Sequence, residues 1–466
     1  MTTTPKPLRI AVIGAGPAGM YAAEALLKGR EDVSIDLFDR LPTPYGLVRY
    51  GVAPDHQKIK SVTRLYDRTL SDPRIRFLGN VEFGRDLTVE DVRRHYHAVV
   101  IAVGSPTDRR LGIPGEDLQG SLSATEFVAW YNGHPDFADL DVPLDARTAV
   151  VVGAGNVAID VARVLAKSVN ELATTDMADH ALGRLRHSKI EEIVMVARRG
   201  PAEAKFTTKE LRELGELENA DIFVREDEMV TPEASLKAIE GDVTAQKNLE
   251  VLHDFSHQAP TGKPRKLRIR FLLSPIALEG EDRVERVVLE RNRLEDRDGY
   301  LASVGTGQTE TIEAQLVLRS VGYRGTALPG VPFDERRGVI PNAEGRVLDA
   351  AGGTQVPGVY VAGWIKRGPS GVIGTNKADA METVASLLAD ELPSIEPADA
   401  DPGAVDALLA ARGARPFELG SWLALDRAEL AAGEASGRPR VKACSVEDMV
   451  AWAEQASAAA DLGPDA

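Results

Sequence analysis

Two glycine-rich turns of one design, near residue 10 and again near residue 150, constrain this chain of 466 residues more than any other feature. In the first, Ile10-Ala11-Val12-Ile13 runs into Gly14-Ala15-Gly16-Pro17-Ala18-Gly19; in the second, Val150-Val151-Val152 runs into Gly153-Ala154-Gly155-Asn156-Val157-Ala158. Each reads as a strand opening through GxGxxG, or its variant with alanine last, into a helix. The first glycine permits the tight bend, the second lets backbone N–H groups approach a pyrophosphate, and the last small residue allows helix to pack on strand. Either turn alone is a weak signal. Short β-branched runs recur, at Leu8–Ile13, Val33–Phe38, Ala98–Val103, Thr148–Val152, Ile190–Ala197, Leu316–Val321 and Val359–Ala362, with helical patterns between several of them. The class this predicts is α/β, with two Rossmann-like dinucleotide-binding domains.

The residues downstream of each turn say more about its ligand. Val33–Phe38 ends at Asp39, about 20 residues past Gly19, where a carboxylate can accept hydrogen bonds from ribose hydroxyls. This leaves FAD and NAD both open. Gly371-Val372-Ile373-Gly374 opens a helix over Lys377–Asp390, and a helix start aimed at a flavin ring would favour the negative charge formed on its reduction. After the second turn, the strand ends in Arg198-Arg199 where an NAD site would carry an acid. Two guanidiniums suit a 2′-phosphate, hence NADP(H). The helix after Gly155 is expected to keep one apolar stripe through Val169 and Leu172. Thr207 and Glu210 read as a capping box, with Glu213 on the same helix face as Glu210. Lys266–Phe271 and Val284–Leu289 alternate as antiparallel strands with one wet face would. Ser394–Pro402 reads as a surface connection, and the tail after Ala456 as frayed.

Composition removes other classes. Hydrophobic residues at 43% and charged residues at 27% can build large cores. The single cysteine, Cys444, excludes an internal disulfide, a CxxC redox pair and a cysteine-held iron–sulfur cluster, and no metal site is expected. A reducing, cytoplasmic setting is the expectation. The net charge of -16 argues against nucleic acid and anionic membrane surfaces. Ile10–Leu27 is apolar, but Gly14, Gly16, Pro17 and Gly19 interrupt it, so neither membrane insertion nor a signal sequence is expected.

Pro42-Thr43-Pro44-Tyr45-Gly46-Leu47-Val48-Arg49-Tyr50-Gly51-Val52-Ala53-Pro54-Asp55-His56 resembles the signature of the adrenodoxin reductase family of NADPH:ferredoxin reductases. The likeness continues through Gly153–Arg163, Ala197–Pro201 and Ala362–Asn376, and more weakly from Trp422 to Met449. The resemblance implies a flavoenzyme that takes hydride from NADPH onto FAD. Single electrons then pass to a ferredoxin-type iron–sulfur protein, feeding a redox system such as a cytochrome P450. It places FAD contacts at Gly14, Gly16, Ala18, Gly19, Asp39, Leu47, Val81, Trp364, Gly371, Val372 and Ile373. NADP contacts map to Gly155, Asn156, Val157, Ala158, Arg198, Arg199, Glu210 and Gly371, and His56 and Glu213 to support of hydride transfer. Family members often carry glutamate at Asp39; the acid is kept. The implied organisation is a discontinuous FAD domain, 1–106 and 325–466 with a C-terminal extension, around an NADP domain, 107–324.

Other readings separate cleanly. Cys444 alone rules out a flavin disulfide reductase, and the glutamate synthase small subunit would need N-terminal cysteines. A flavin monooxygenase or oxidase would consume oxygen without ferredoxin. A non-catalytic NADP-binding scaffold would be colourless, or not bleached by NADPH. An acidic, transiently bound ferredoxin requires a local basic patch, expected near the cleft between domains. Lys263, Arg265, Lys266, Arg268 and Arg270, or Arg184, Arg186, His187 and Lys189, are the candidates.

Overall fold

The computed structural model describes residues 7–297, 300–390 and 397–461. The chain divides into two compact units, the first made of the residues up to Thr107 and those from Tyr323 onward, the second of Asp108–Gly322.

The first unit is organised by Leu8–Ile13, in which all six residues are buried. A strand with both faces covered needs parallel neighbours, and it has Val33–Phe38 on one side and Ala98–Ile101 on the other. The sheet continues through Ile75–Gly79 to a short antiparallel edge, Phe417–Glu418, and on the other flank through Gln355–Val361 to Arg346–Leu348 and Asn342–Ala343. Apolar clusters cover both faces, one of them beneath the helices Pro17–Gly29 and Thr375–Ala389. Arg9, the charge inside the central strand, is paired at 2.6 Å with Asp36, which also accepts from Arg76 and the Tyr96 hydroxyl. Two helices, Leu419–Ala435 and Val446–Asp461, close the unit.

The second unit carries a six-stranded sheet in the order Ser121–Ser123, Leu316–Arg319, Thr148–Val152, Glu192–Val196, Arg265–Arg270 and Ala220–Val224. A separate antiparallel sheet joins Leu273–Glu279, Arg286–Arg297 and Tyr300–Glu313.

Several expectations need correction. Arg265–Arg270 is not a wet antiparallel strand; it pairs in parallel with both Glu192–Val196 and Ala220–Val224. Its charges are tolerated there because the neighbours supply carboxylates: Arg268 pairs with Glu192, and Arg270 with Glu228 and Glu310. The helix after Gly155 stops at Ala166 rather than Leu172. Ser168 and Glu171 form a capping box that starts a new helix, Val169–Leu172, and Arg265 donates to the Leu165 and Lys167 carbonyls at the break. The helix expected from Lys377 begins at Thr375. Ser394–Glu396 and the end of the tail beyond Asp461 lie outside the described residues; the C-terminal helix itself continues past Ala456 to Asp461.

Candidate functional site

In the first turn Gly14 has φ +104°, and a Cβ there would stand 2.6 Å from the Ala102 carbonyl oxygen. At Gly19 a Cβ would fall 1.8 Å from the Gly14 oxygen, so the helix lies directly on the turn. Gly16 caps that helix without a side-chain bond, leaving the first-turn N–H groups to an anion. Asp39 ties the turn down: its oxygens accept from Ala15 N–H at 2.8 Å and Leu41 N–H at 2.9 Å. Burial pushes its carboxyl above the usual range, against the pull of those two donors. Each oxygen keeps a second lone pair for a hydroxyl. Val81, fully buried, donates its N–H to the Asp39 carbonyl at 2.9 Å, whereas Leu47 heads a short helix, Leu47–Tyr50, and is exposed.

The segment after Gln355–Val361 arrives at the same place. A Cβ on Gly363 would lie 2.5 Å from the Ala18 Cβ, which puts Trp364 beside the start of the first helix. The Trp364 Nε1–H donates to the Ser370 carbonyl at 3.2 Å, and its ring lies 5.0 Å from Tyr323. Gly371 has φ +80°, Val372 is 62% exposed with its N–H bonded to the Thr375 hydroxyl, and Ile373 is half-buried. Asp379 accepts from Gly363 N–H at 2.5 Å and pairs with buried Lys366 at 3.2 Å, locking the strand end to the helix. Neither Lys366 nor Asp379 is legible as a site residue from local pattern.

In the second unit Gly153 has φ +146°, with the Ser320 carbonyl oxygen 2.2 Å from where its Cβ would be. A Cβ on Gly155 would meet nothing within 4 Å, so that face of the turn is open. Val157 is half-buried and Ala158 fully buried in the helix Asn156–Ala166. The expected Thr207–Glu210 capping box is absent, because Asn156 accepts the Thr207 N–H at 2.8 Å and Thr207 caps nothing with its side chain. Glu210 is thereby free of a capping role: it is 9% exposed, and among the described residues its Oε2 has no hydrogen-bond partner. Glu213 is committed to ion pairs with Arg163 at 3.2 Å and Lys209 at 3.1 Å.

Arg198 and Arg199 follow the strand Glu192–Val196, beside the end of Thr148–Val152. Among the described residues neither is paired with a carboxylate, and Arg199 lies 5.7 Å over the Tyr300 ring. Their backbone is held by the three-stranded sheet and the residue that leads into it: Asn292 Nδ2 donates to the Arg198 carbonyl at 2.8 Å, and Leu272 N–H, just ahead of Leu273–Glu279, to the Arg199 carbonyl at 3.1 Å. Asn292, 94 positions from Arg198, carries no sequence signal of this contact.

His56, 7% exposed, heads the short helix Gln57–Lys60 in the first unit; Glu213 belongs to the second. The basic run at 263–270 is largely consumed internally. Lys263 donates to the Leu217 carbonyl, Arg265 caps a helix end, and Arg268 and Arg270 are ion-paired. Arg184 pairs with Asp141 at 3.0 Å.

Two sheets, each with a central strand in parallel pairing that runs through a glycine turn into a helix N-terminus, frame a pyridine-nucleotide oxidoreductase of the two-dinucleotide kind. A family profile described as "Pyridine nucleotide-disulphide oxidoreductase" matches residues 8–200. The chain is 46% identical over 461 residues to NADPH-ferredoxin reductase FprA of Mycobacterium tuberculosis, spanning 96% of this chain and 99% of that one. It is 39% identical to the mitochondrial NADPH:adrenodoxin oxidoreductase of Arabidopsis thaliana, over 96% of each. The solved structure of Mycobacterium tuberculosis FprA in complex with NADPH superposes with a TM-score of 0.91 at 44% identity, covering 96% of this chain and all of that one. The chain belongs to the NADPH-ferredoxin reductase family that includes the adrenodoxin oxidoreductases. Residues 8–200 match that profile, and with one cysteine in the sequence the chain has no cysteine pair.

Proposed function

We propose that this chain is an FAD-dependent enzyme that takes hydride from NADPH and delivers single electrons to a ferredoxin-type iron–sulfur protein. The observation that carries the reading is the contrast between the two turns. One is followed by the acid Asp39, the other by Arg198 and Arg199, which among the described residues have no carboxylate partner. An acid suits ribose hydroxyls and an unpaired guanidinium pair suits a 2′-phosphate.

Bound FAD would supply what the side chains lack, acceptance of a hydride and release of electrons one at a time. The residues around it bind and orient. Gly14, Gly16, Ala18 and Gly19 make room for the pyrophosphate, and Asp39 holds the ribose. Leu47, Val81, Trp364, Gly371, Val372 and Ile373 complete the FAD contacts. For NADPH, Gly155, Asn156, Val157 and Ala158 receive the pyrophosphate and Arg198 with Arg199 the 2′-phosphate. The orphaned Glu210 oxygen suits a hydroxyl donor, which would end its isolation. Gly371 is shared with the nicotinamide half. His56 orients the carboxamide, and Glu213 acts as a positioning residue through Arg163 and Lys209. The FAD-binding domain is then the unit made from both chain ends and the NADP-binding domain the inserted one.

The reading extends to a cytoplasmic setting, an acidic ferredoxin docking transiently on a basic patch, and supply of a redox system such as a cytochrome P450. No helix among the described residues is long and apolar enough to cross a membrane. Anaerobic stopped-flow tests the core: NADPH should bleach the yellow holoprotein, and candidate ferredoxins should restore its colour. A purified chain that is colourless while folded overturns it. Ferredoxin reduction should slow as ionic strength rises; indifference to salt removes the electrostatic dock.

A further inference from the structure

In the first unit three described residues other than glycine hold a positive φ, Tyr45, Asn80 and Glu344, and of these Tyr45 alone carries a bulky ring. Tyr45 has φ +85°, and its neighbour Gly46 has φ +48°. Glycine adopts such angles freely, but a tyrosine keeps them only where its surroundings over-determine them. This turn lies against the first dinucleotide turn. The Tyr45 N–H donates to the Ala15 carbonyl at 2.8 Å, and a Cβ on Gly46 would stand 3.0 Å from the Gly16 Cα.

The residues that hold it come from the other end of the chain. The Trp422 Nε1–H donates to the Tyr45 hydroxyl at 3.3 Å, with the two rings edge to face at 5.5 Å, and that hydroxyl donates onward to Asp67. Four residues on, Arg49 gives two side-by-side bonds, 2.8 and 2.5 Å, to the carboxylate of Glu429, which is fully buried. Glu429 also accepts from Arg440 at 2.8 Å and from Ala443 N–H at 3.0 Å, so its charge is matched and its lone pairs are used. Trp422 and Glu429 lie on one helix, Leu419–Ala435. Apolar side chains could anchor that helix equally well; a two-pronged guanidinium–carboxylate pair also fixes direction.

We propose that Glu429 and Trp422 are positioning residues of the flavin site. Through the Arg49 fork and the Tyr45 hydroxyl, the helix Leu419–Ala435 holds the Tyr45–Gly46 turn against Gly16 in the shape that bound FAD requires. The inference rests on the assignment of FAD to the first turn. It makes flavin retention depend on contacts 377 and 380 positions away from the residues they hold.

The test measures FAD release from holoenzyme, followed as flavin fluorescence after dilution, in Glu429→Gln and Trp422→Phe. Each variant should release FAD about tenfold faster than the parent, the loss expected when a strained turn is no longer fixed. Binding of adenosine 2′,5′-bisphosphate by the second unit should be unchanged. A purely architectural role would lower the melting temperature of the flavin-free chain and leave release alone. Release within about twofold of the parent in every variant that folds overturns the proposal. Trp422→Phe keeps an aromatic ring and removes the N–H donor, so it decides the matter if Glu429→Gln does not fold. A parent chain that takes up no FAD overturns the underlying assignment instead, and is recognised before any variant is compared.

Discussion

A methyl group added at Gly19 and one added at Gly155 meet opposite surroundings. At Gly19 it would lie 1.8 Å from a carbonyl oxygen, so Gly19→Ala is expected to cost about 1–3 kcal/mol in thermal melts and to release flavin. At Gly155 it meets nothing within 4 Å, and the backbone there, φ −121°, suits any residue. Gly155→Ala should therefore melt like the parent while losing NADPH affinity, because the methyl occupies the room of a phosphate; unchanged affinity would remove the second turn from the site. The arginine pair gives a third residue-scale expectation. Replacing Arg198 and Arg199 together by glutamine should weaken NADPH about a hundredfold relative to NADH, through loss of two charge-assisted contacts. Equal losses for both nucleotides would contradict the 2′-phosphate assignment.

Among the elements, the loop carrying the arginines depends on a sheet that belongs to neither Rossmann-like sheet. Asn292 bridges the Arg198 carbonyl and the Ser274 hydroxyl, each at 2.8 Å. Asn292→Ala should destabilise the second unit by about 1–3 kcal/mol and blur discrimination between NADPH and NADH. The helix Thr375–Ala389 is fixed at its end by Asp390, which accepts from Arg346, Tyr360 and Gln355. Arg346 first, then the Tyr360 and Gln355 bonds, hold the Asp390 carboxyl at about 2. Because that value is below the unfolded one, the unfolded chain binds the extra proton, and stability present at neutral pH is lost as pH falls from about 4 to about 2. Melting temperatures measured across that range should fall more steeply for the parent than for Asp390→Asn. Helix boundaries show where periodicity alone falls short. The apolar stripe from Val157 to Leu172 satisfies one long helix, yet Ser168 with Glu171, and Arg265 from a distant strand, break it at Lys167.

At the scale of the molecule, the first unit is built from both ends of the chain, and the entry and exit of the inserted segment lie close together. The Thr107 hydroxyl donates to the Arg324 carbonyl at 3.0 Å, and Arg109 N–H to the Gly322 carbonyl at 2.9 Å. Replacing 108–322 by a short glycine linker should leave a soluble yellow protein that NADPH cannot bleach; a colourless product would place flavin contacts in the insert. The amino-acid sequence by itself determined the two dinucleotide turns, Asp39 after the first and the arginines after the second, because glycine spacing and strand-end chemistry are local. Strands such as Leu8–Ile13 and Val33–Phe38 were legible to the residue, since runs rich in β-branched and other apolar side chains, interrupted only by Arg9, Ser34 and Asp36, suit a buried strand. Only the tertiary structure decided that Arg265–Arg270 enters the parallel sheet, that Asn156 displaces the Thr207 cap, that Glu213 is spent on Arg163, and that Glu429 meets Arg49. Each is a polar contact between distant segments, and a buried polar group takes whichever partner the packed backbone brings within reach, which no local spacing encodes.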